Sequence, residues 1–145
     1  MKRDLILCVG APASGKSTYS KELSKTKDYI RVCRDDFRLM FKQSQLLSKE
    51  EENVITKLVQ YNIVSLYNET ENNIVIDQTN CNEHRLRQFI NDYSDLFDIK
   101  LKLFDEPLEV LLERNNKRTT DKVPEYVIVN MHKNLQSFKH KFEFI

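Results

Sequence analysis

The sequence predicts an α/β fold of the P-loop NTPase type, a three-layer sandwich in which helices flank a parallel sheet of about four strands. Residues 10–18 match the pattern G-x-x-x-x-G-K-[ST], which is a phosphate-binding P-loop. The apolar run at residues 5–9 is typical of a buried parallel strand, and residues 16–24 favour a helix. Three more strand-like runs follow along the chain, each before a helical pattern.

The P-loop indicates that the protein binds a nucleoside triphosphate. A strand, a tight loop and a helix N-terminus together place backbone N–H groups around an anion. We expect Lys16 to add a charge between the β- and γ-phosphates and the Ser17 hydroxyl to bind Mg²⁺. The only two glycines of the chain, Gly10 and Gly15, both lie in this loop. The motif does not distinguish a kinase from an ATPase or a GTPase, and it assigns to the nucleotide Gly10, Ala11, Pro12, Ala13, Ser14, Gly15, Lys16, Ser17 and Thr18.

Length and composition place limits on the class of protein. We expect residues 1–145 to form one domain. A net charge of +1 means that any nucleic-acid binding would need a local basic surface. The three cysteines are widely spaced and match no zinc site, and we see no signal peptide, so we expect a reducing, cytoplasmic setting. No apolar run approaches the roughly 20 residues of a membrane span.

The second predicted strand, residues 29–33, leads directly into a helix that begins with Arg34 and continues to residue 41. Residues at the carboxyl end of a parallel strand face the ligand crevice, so we expect Asp35 near the γ-phosphate as a general base. Arg38 lies one turn further on and is suited to bind a phosphate of the acceptor. The alternative is that Asp35 caps the helix and Arg38 is a solvated charge. We assign Asp36 to the cap and the first-turn dipole.

A long helix is predicted from residue 49 to residue 67. Ser48 and Glu51 form a capping-box pattern, and we interpret the acidic run at residues 50–52 as a solvated first turn that suits the helix dipole. One apolar face is predicted for this helix. Its members are Val54, Leu58, Tyr61 and Ser65, with Ile55, Val59 and Ile63 broadening the face.

The third predicted strand, residues 73–77, ends in an acid, as a Walker B strand does. Asp77 could hold the hydration shell of Mg²⁺, it could orient Arg38, or it could simply start the turn. The sequence does not separate these roles. We expect Thr79 and Asn80 to face the same crevice, and Asn82 to cap the helix that follows.

The fourth predicted strand spans residues 98–104, and Pro107 is expected at the first position of the next helix, after a capping acid. Near the end of that helix Arg114, Lys117 and Arg118 are spaced to share one face. We expect residues 114–123 to form a basic lid over the triphosphate. The alternative is a basic helix end that complements the dipole. A last helix starts at residues 123–127, with a packing stripe of Val127, Met131, Leu135 and Phe138.

Taken together, these motifs resemble the polynucleotide 5′-hydroxyl kinases, namely the kinase domain of the phage and animal kinase–phosphatase enzymes, within the P-loop kinase superfamily. The resemblance runs from residue 5 to about residue 138 and rests on four motifs in order: residues 10–17, 34–38, 77–80 and 114–124. The P-loop is shared widely. The combination of Arg-Asp-Asp-Phe-Arg with Asp-Gln-Thr-Asn is far more specific.

The resemblance implies transfer of the ATP γ-phosphate to a 5′-hydroxyl end of DNA or RNA, with Mg²⁺ and without a membrane partner. It implies that Asp35 is the general base, that Arg38 holds a phosphate of the acceptor, and that Arg118 contacts the nucleotide phosphates. The implied catalytic residues are Asp35, Lys16, Arg38 and Arg118. The implied substrate-side residues are Arg34, Asp35, Arg38, Asp77, Thr79 and Asn80, and Arg114 joins Arg118 on the nucleotide side.

The chain departs from the family pattern at several points. Ala13 stands where many members have glycine, and Asp77 lies two places before Thr79, as in the animal pattern, whereas phage members often have the acid directly before that threonine. No Asp-x-Asp-x-Thr phosphatase motif is present. A small-metabolite kinase on the same scaffold is therefore the alternative, and a nucleotide-dependent switch is a third hypothesis, disfavoured by Asp35. If a phage encodes the protein, we expect it in the host cytoplasm.

Overall fold

The fold is a parallel sheet covered by helices, as the sequence predicts. A computed structural model describes residues 1–26, 28–43, 46–120 and 122–145. In the described residues four parallel strands form one sheet in the order β2-β3-β1-β4. Their bounds are Arg3–Val9 for β1, Tyr29–Cys33 for β2, Asn73–Asp77 for β3 and Phe97–Leu103 for β4.

Helices connect the strands and cover both faces of the sheet. They are α1 (Lys16–Ser24), α2 (Arg34–Phe41), α3 (Lys49–Glu69), α4 (Glu83–Tyr93), α5 (Leu108–Asn116) and α6 (Glu125–Phe138), followed by a 3₁₀ turn at Lys139–Lys141. This element order confirms the predicted α/β architecture. In the part of the chain that the structure describes, no helix is both long and apolar enough to cross a membrane.

The central strand β1 is apolar because both of its faces are buried. Leu5 and Leu7 are fully buried and belong to the larger core cluster on one face of the sheet, whereas Ile6 and Cys8 pack with Val75 on the opposite face. Leu7 pairs with residues of both β3 and β4. The alternation along β1 therefore places the sheet as the middle layer of three.

The buried face of α3 differs from the predicted face. Ile55, Val59 and Ile63 are buried, whereas Val54 and Tyr61 are exposed, Tyr61 to 71%. The three buried residues recur at intervals of four and form one unbroken ridge of β-branched side chains. The predicted capping box is confirmed, because the Ser48 hydroxyl accepts from the N–H of Glu51 at 3.1 Å and the Glu51 carboxylate accepts from the N–H of Ser48 at 3.2 Å.

The ends of the later elements also differ from the predictions. Strand β4 starts and ends one residue earlier, and α5 ends at Asn116, before Lys117 and Arg118, which were expected near its end. Pro107 occupies the N-cap of α5 and has no side-chain acceptor for a cap, and Glu106 pairs with Arg114 at 3.6 Å. In α6 the buried residues are Ile128, Leu135 and Phe138.

We predict that Ile55→Ala lowers the free energy of unfolding by about 2–5 kcal/mol, because it opens a cavity at a fully buried position. Tyr61→Ala, on the exposed face of the same helix, should change it by no more than about 0.5 kcal/mol. Urea unfolding of the two variants measures both effects. Equal destabilisation by the two substitutions would contradict the orientation of α3 described here.

Candidate active site

The P-loop wraps tightly between β1 and α1. Gly15 has a φ of 103° and Ala13 a φ of 68°, both in the left-handed region that favours glycine. A Cβ atom on Gly10 would lie 2.7 Å from the carbonyl oxygen of Phe104, so the end of β4 leaves no room for a side chain. The N–H of Gly10 donates to the carbonyl of Thr79 at 2.9 Å. The loop is therefore fixed by the strand ends on both sides of β1.

Lys16 is held inside the loop. Its side chain is largely buried, and its Nζ donates to the carbonyl of Ala11 at 2.8 Å and to Ser14 Oγ at 3.4 Å. Burial lowers the pKa of the Lys16 ammonium below its usual value. A cation with little access to water gains more from an anionic ligand than a solvated one, since the local dielectric is low. Lys16 is thus arranged to receive a phosphate group.

A cleft of about 780 Å³ opens above the loop, within the size range of small-molecule sites. The P-loop from Pro12 to Thr18 forms its floor. One wall comes from the start of α2 and the end of β3, and the opposite wall comes from α5, α6 and the segment between them. The structure brings six charged residues of the predicted site to this cleft: Arg34, Asp35, Arg38, Asp77, Arg114 and Arg118.

Asp35 lies in the first turn of α2, and its side chain is 62% exposed. Arg38, one turn further on, donates to Asp35 Oδ1 and, through Nε, to Glu52 Oε1 at 2.7 Å. The helix is not capped by either aspartate, because its N-cap is Cys33 and has no side-chain cap. The capping role predicted for Asp36 is wrong, since Asp36 instead accepts from Arg31 at 2.8 Å.

Glu52 is a residue whose importance the sequence interpretation missed. Its carboxylate, on the first turns of α3, accepts from Arg34 Nη2 at 2.8 Å as well as from Arg38. Burial opposes the ionisation of Glu52, but the bonds from Arg38 and Arg34 outweigh it, so that the pKa of Glu52 lies below its usual value. The acidic run that contains Glu52 is therefore more than a solvated first turn, because one member anchors two arginines of the cleft.

Asp77 is buried at the end of β3, and both of its bonds use one oxygen. Asp77 Oδ2 accepts from Ser20 Oγ at 2.9 Å and from Arg31 Nη2 at 2.7 Å. Of the roles left open for Asp77, orienting Arg38 is contradicted, because the arginine that bonds to Asp77 is Arg31. A charged residue in the middle of the otherwise apolar strand β2 was the signal for Arg31, and the sequence interpretation did not use it.

Thr79 and Asn80, which follow Asp77, have different roles. Thr79 lines the cleft, as predicted, and its carbonyl accepts from the P-loop. Asn80 does not line the cleft: its φ is 52°, and its Nδ2 donates to the carbonyl of Cys8 at 2.7 Å. The expectation that Asn80 faces the crevice is corrected, since its amide ties the loop after β3 to β1. The predicted cap is confirmed, with Asn82 accepting from the N–H of Arg85 at 3.0 Å.

Of the three basic residues predicted to share one face of the lid, two line the cleft. Arg114, on α5, donates to the P-loop carbonyl of Ala13 at 3.2 Å, and Arg118 lines the cleft from beyond the end of the helix. Lys117 pairs with Glu113 at 3.0 Å and is not part of the lining. Within the predicted lid, residue 121 lies outside the described residues.

The cysteines and histidines add no metal centre to the residues that the structure describes. Cys8, Cys33 and Cys81 are free and buried. Burial raises the pKa of the Cys8 and Cys33 thiols to about 12 and that of Cys81 to about 11. At neutral pH these side chains are therefore protonated core residues.

A P-loop with a buried lysine, a carboxylate on the neighbouring strand end and arginines on both walls defines a P-loop nucleotide-binding domain. The family model described as an AAA domain matches residues 5–138, and the chain belongs to this family. The match covers nearly all of the strands and helices described above.

The chain is also similar to a viral protein and to chains in two solved structures. The chain is 29% identical over 136 residues to "Putative bifunctional polynucleotide kinase/RNA ligase" of Autographa californica nuclear polyhedrosis virus, an alignment that covers 84% of this chain and 19% of the viral protein. A chain in the structure of the Pnkp1/Rnl/Hen1 RNA repair complex is 37% identical, with a TM-score of 0.89 over 99% of this chain and 47% of that one. A second Pnkp1/Rnl/Hen1 structure gives 36% identity and a TM-score of 0.73, covering 85% of this chain and 45% of that one.

The chain matches only part of the length of these relatives, and other kinases share its fold at low sequence identity. The chain spans about a fifth of the viral relative and just under half of the two solved chains. A gluconokinase from Sinorhizobium meliloti 1021, at 14% identity and a TM-score of 0.67 over 99% of this chain and 82% of that one, shares the fold alone. The fold and the family are therefore established, while the acceptor must be argued from the site.

We predict that Glu52→Gln destabilises the protein in a pH-dependent manner. Because the pKa of Glu52 is lower in the folded protein, its ion pairs stabilise the fold above the unfolded value of 4.5 and are lost as the pH falls through the lower folded value. At neutral pH the loss should be about 1–3 kcal/mol, since two half-buried arginines lose their shared acceptor. The difference from the wild type should shrink as the pH falls below 4.5 and through the lower folded value.

Urea unfolding across this pH range measures the effect of Glu52→Gln. Glu50→Gln is the matched control, because Glu50 lies on the same first turn and is exposed. Its effect should stay within about 0.5 kcal/mol at every pH. A pH-independent difference between Glu52→Gln and the wild type would contradict the ion-pair interpretation.

Proposed function

We propose that the protein is an ATP-dependent polynucleotide 5′-hydroxyl kinase, which transfers the γ-phosphate of ATP to a 5′-OH end of DNA or RNA. The observation that carries the proposal is that Asp35 and Lys16, from different strand ends, line the same cleft with Arg38 beside them. The names of the viral relative and of the repair-complex structures support a polynucleotide as the acceptor.

The donor side of the proposed site is the P-loop and the wall formed by α5 and its C-terminal extension. Backbone N–H groups of the loop and the Lys16 ammonium would hold the β- and γ-phosphates, while Arg114 and Arg118 would neutralise charge that develops on the transferred group. The Ser17 hydroxyl lines the cleft and suits Mg²⁺, with Asp77 nearby as a partner for its water ligands. Bound Mg²⁺ would offset the negative charge of the phosphates.

The acceptor side of the proposed site is the first turn of α2. The 5′-oxygen attacks the γ-phosphorus, its proton passes to Asp35, and the bond from the γ-phosphorus to the bridging oxygen of ADP breaks. Arg38 binds a phosphate of the polynucleotide, and Glu52 keeps the guanidinium in place while it does so. An incoming phosphate competes with Asp35 for Arg38, which frees the Asp35 carboxylate for the hydroxyl.

The cysteines support a reducing cytoplasm as the setting of the proposed reaction. All three cysteines are free thiols, as expected for a protein that is not exported to an oxidising compartment. We therefore include a cytoplasmic location in the proposal. Its support is the state of the thiols.

We predict label transfer from [γ-³²P]ATP to oligonucleotides with 5′-OH ends in the presence of Mg²⁺. Asp35→Asn should lower kcat by roughly 10²–10⁴-fold, because the amide cannot accept the proton. Asp36→Asn is the matched control, since the Asp36 side chain is 61% exposed, close to the 62% of Asp35, but contacts Arg31 instead of Arg38. It should retain activity within severalfold.

The same assay separates the alternatives. Turnover of a small hydroxylated metabolite without transfer to any DNA or RNA end would favour a metabolite kinase on this scaffold. ATP binding without transfer to either class of acceptor would favour a nucleotide-dependent switch. Full activity of Asp35→Asn would contradict the assignment of the general base.

A further inference from the structure

A buried asparagine joins the two ends of the connection between α5 and α6. Asn115, near the end of α5, is 0% exposed. Its Nδ2 donates to the carbonyl of Val123 at 2.8 Å, and its Oδ1 accepts from the N–H of Val123 at 3.1 Å. The side-chain nitrogen and oxygen of Asn115 thus both bond to the backbone of Val123, eight positions later in the chain.

Asn115 is also connected to the arginines that precede and follow it. Its backbone carbonyl accepts from the N–H of Arg118 at 3.1 Å. The residue before it, Arg114, donates to the P-loop carbonyl of Ala13 at 3.2 Å. Arg114, Arg118 and Val123 all line the cleft, whereas Asn115 does not. The bond from Arg118 uses the main chain at position 115, so the side chain of Asn115 itself fixes Val123, from behind the cleft wall.

The surroundings of Asn115 make an amide an unexpected choice. Leu111, on the preceding turn of α5, packs with Ile128 and Ala11 in a small apolar cluster, and Val123 packs against that cluster. Burying an amide without partners is unfavourable, and an apolar side chain would fill such a position without that penalty. The paired bonds remove the penalty and fix the position of the Val123 backbone.

We propose that Asn115 is a positioning residue for the phosphoryl donor: its side chain holds Val123, which lines the cleft together with Arg118, in one arrangement that receives ATP. This inference rests on the proposed function for the identity of the donor, and it is independent of the acceptor. Asn115 acts through Val123 and does not touch the nucleotide. Its loss should therefore weaken donor binding and leave the acceptor side intact.

Asn115→Leu removes both bonds at similar side-chain volume. Isothermal titration with a non-hydrolysable ATP analogue and Mg²⁺ should show a Kd raised about tenfold or more, the scale of losing buried hydrogen bonds. In the kinase assay the KM for ATP should rise while the KM for the oligonucleotide stays within about twofold. Asn116→Leu, at the adjacent exposed position, is the matched control and should bind the analogue like the wild type.

Asn115→Asp gives a second readout that a purely structural role would not produce. An ionised carboxylate repels the Val123 carbonyl, but a protonated one donates to it as the amide does, and burial raises the pKa of a carboxyl. The affinity of this variant for the analogue, relative to the wild type, should therefore recover as the pH is lowered. If Asn115→Leu does not fold, this variant alone decides the question.

Wild-type affinity for the analogue in folded Asn115→Leu, or in Asn115→Asp at every pH, would overturn the inference. A lower unfolding temperature without a change in Kd would do the same, because it would show a role in stability alone. A wild-type protein that binds the analogue but labels no oligonucleotide would overturn the proposed function and leave the binding test intact. No binding by the wild type would overturn both.

Discussion

The parallel pairing of β2, β3 and β1 is the constraint on which the rest of the site depends. Cys33 pairs with Asp77 across β2 and β3, so the residues that follow each strand emerge at the same edge of the sheet. Asp35 comes two residues after Cys33, and the carbonyl of Thr79, two residues after Asp77, accepts from Gly10. A carboxylate and an anion-binding loop, far apart in the chain, are adjacent because the strands run in parallel.

Several of the arginines near the cleft are held by a carboxylate from another element or turn. Arg31 is bound to Asp77, Arg38 to Glu52, and Arg114 to Glu106. Such pairs fix long side chains before a ligand arrives, and they reduce the ordering that binding must impose. They also mean that an incoming phosphate must compete with a carboxylate, which favours ligands of high negative charge such as ATP and a polynucleotide end.

Much of the fold was predictable because its signals are local. The bounds of α1, α2, β2 and β3 follow from short apolar runs and the turns between them, and all four agree with the structure. The P-loop lysine and Asp35 were predictable from their places at strand ends. The buried face of α3 was predicted only in part: Ile55 was included in it, but so were Val54 and Tyr61, and only packing in the folded chain shows that these two are exposed. Pairs distant in sequence were not predictable: a charge within the apolar strand β2 marked Arg31, but no local pattern identifies Asp77 as its partner.

In the proposed mechanism, the acceptor hydroxyl lies between Asp35 and the γ-phosphate position above Lys16. A crystal structure with a non-hydrolysable ATP analogue, Mg²⁺ and a 5′-OH oligonucleotide measures this most directly. We expect an Asp35 oxygen within about 2.6–3.2 Å of the 5′-oxygen of the oligonucleotide. The 5′-oxygen should lie in line with the γ-phosphorus and the bridging oxygen that leaves. An acceptor bound away from Asp35, with Asp35 still paired to Arg38, would contradict it.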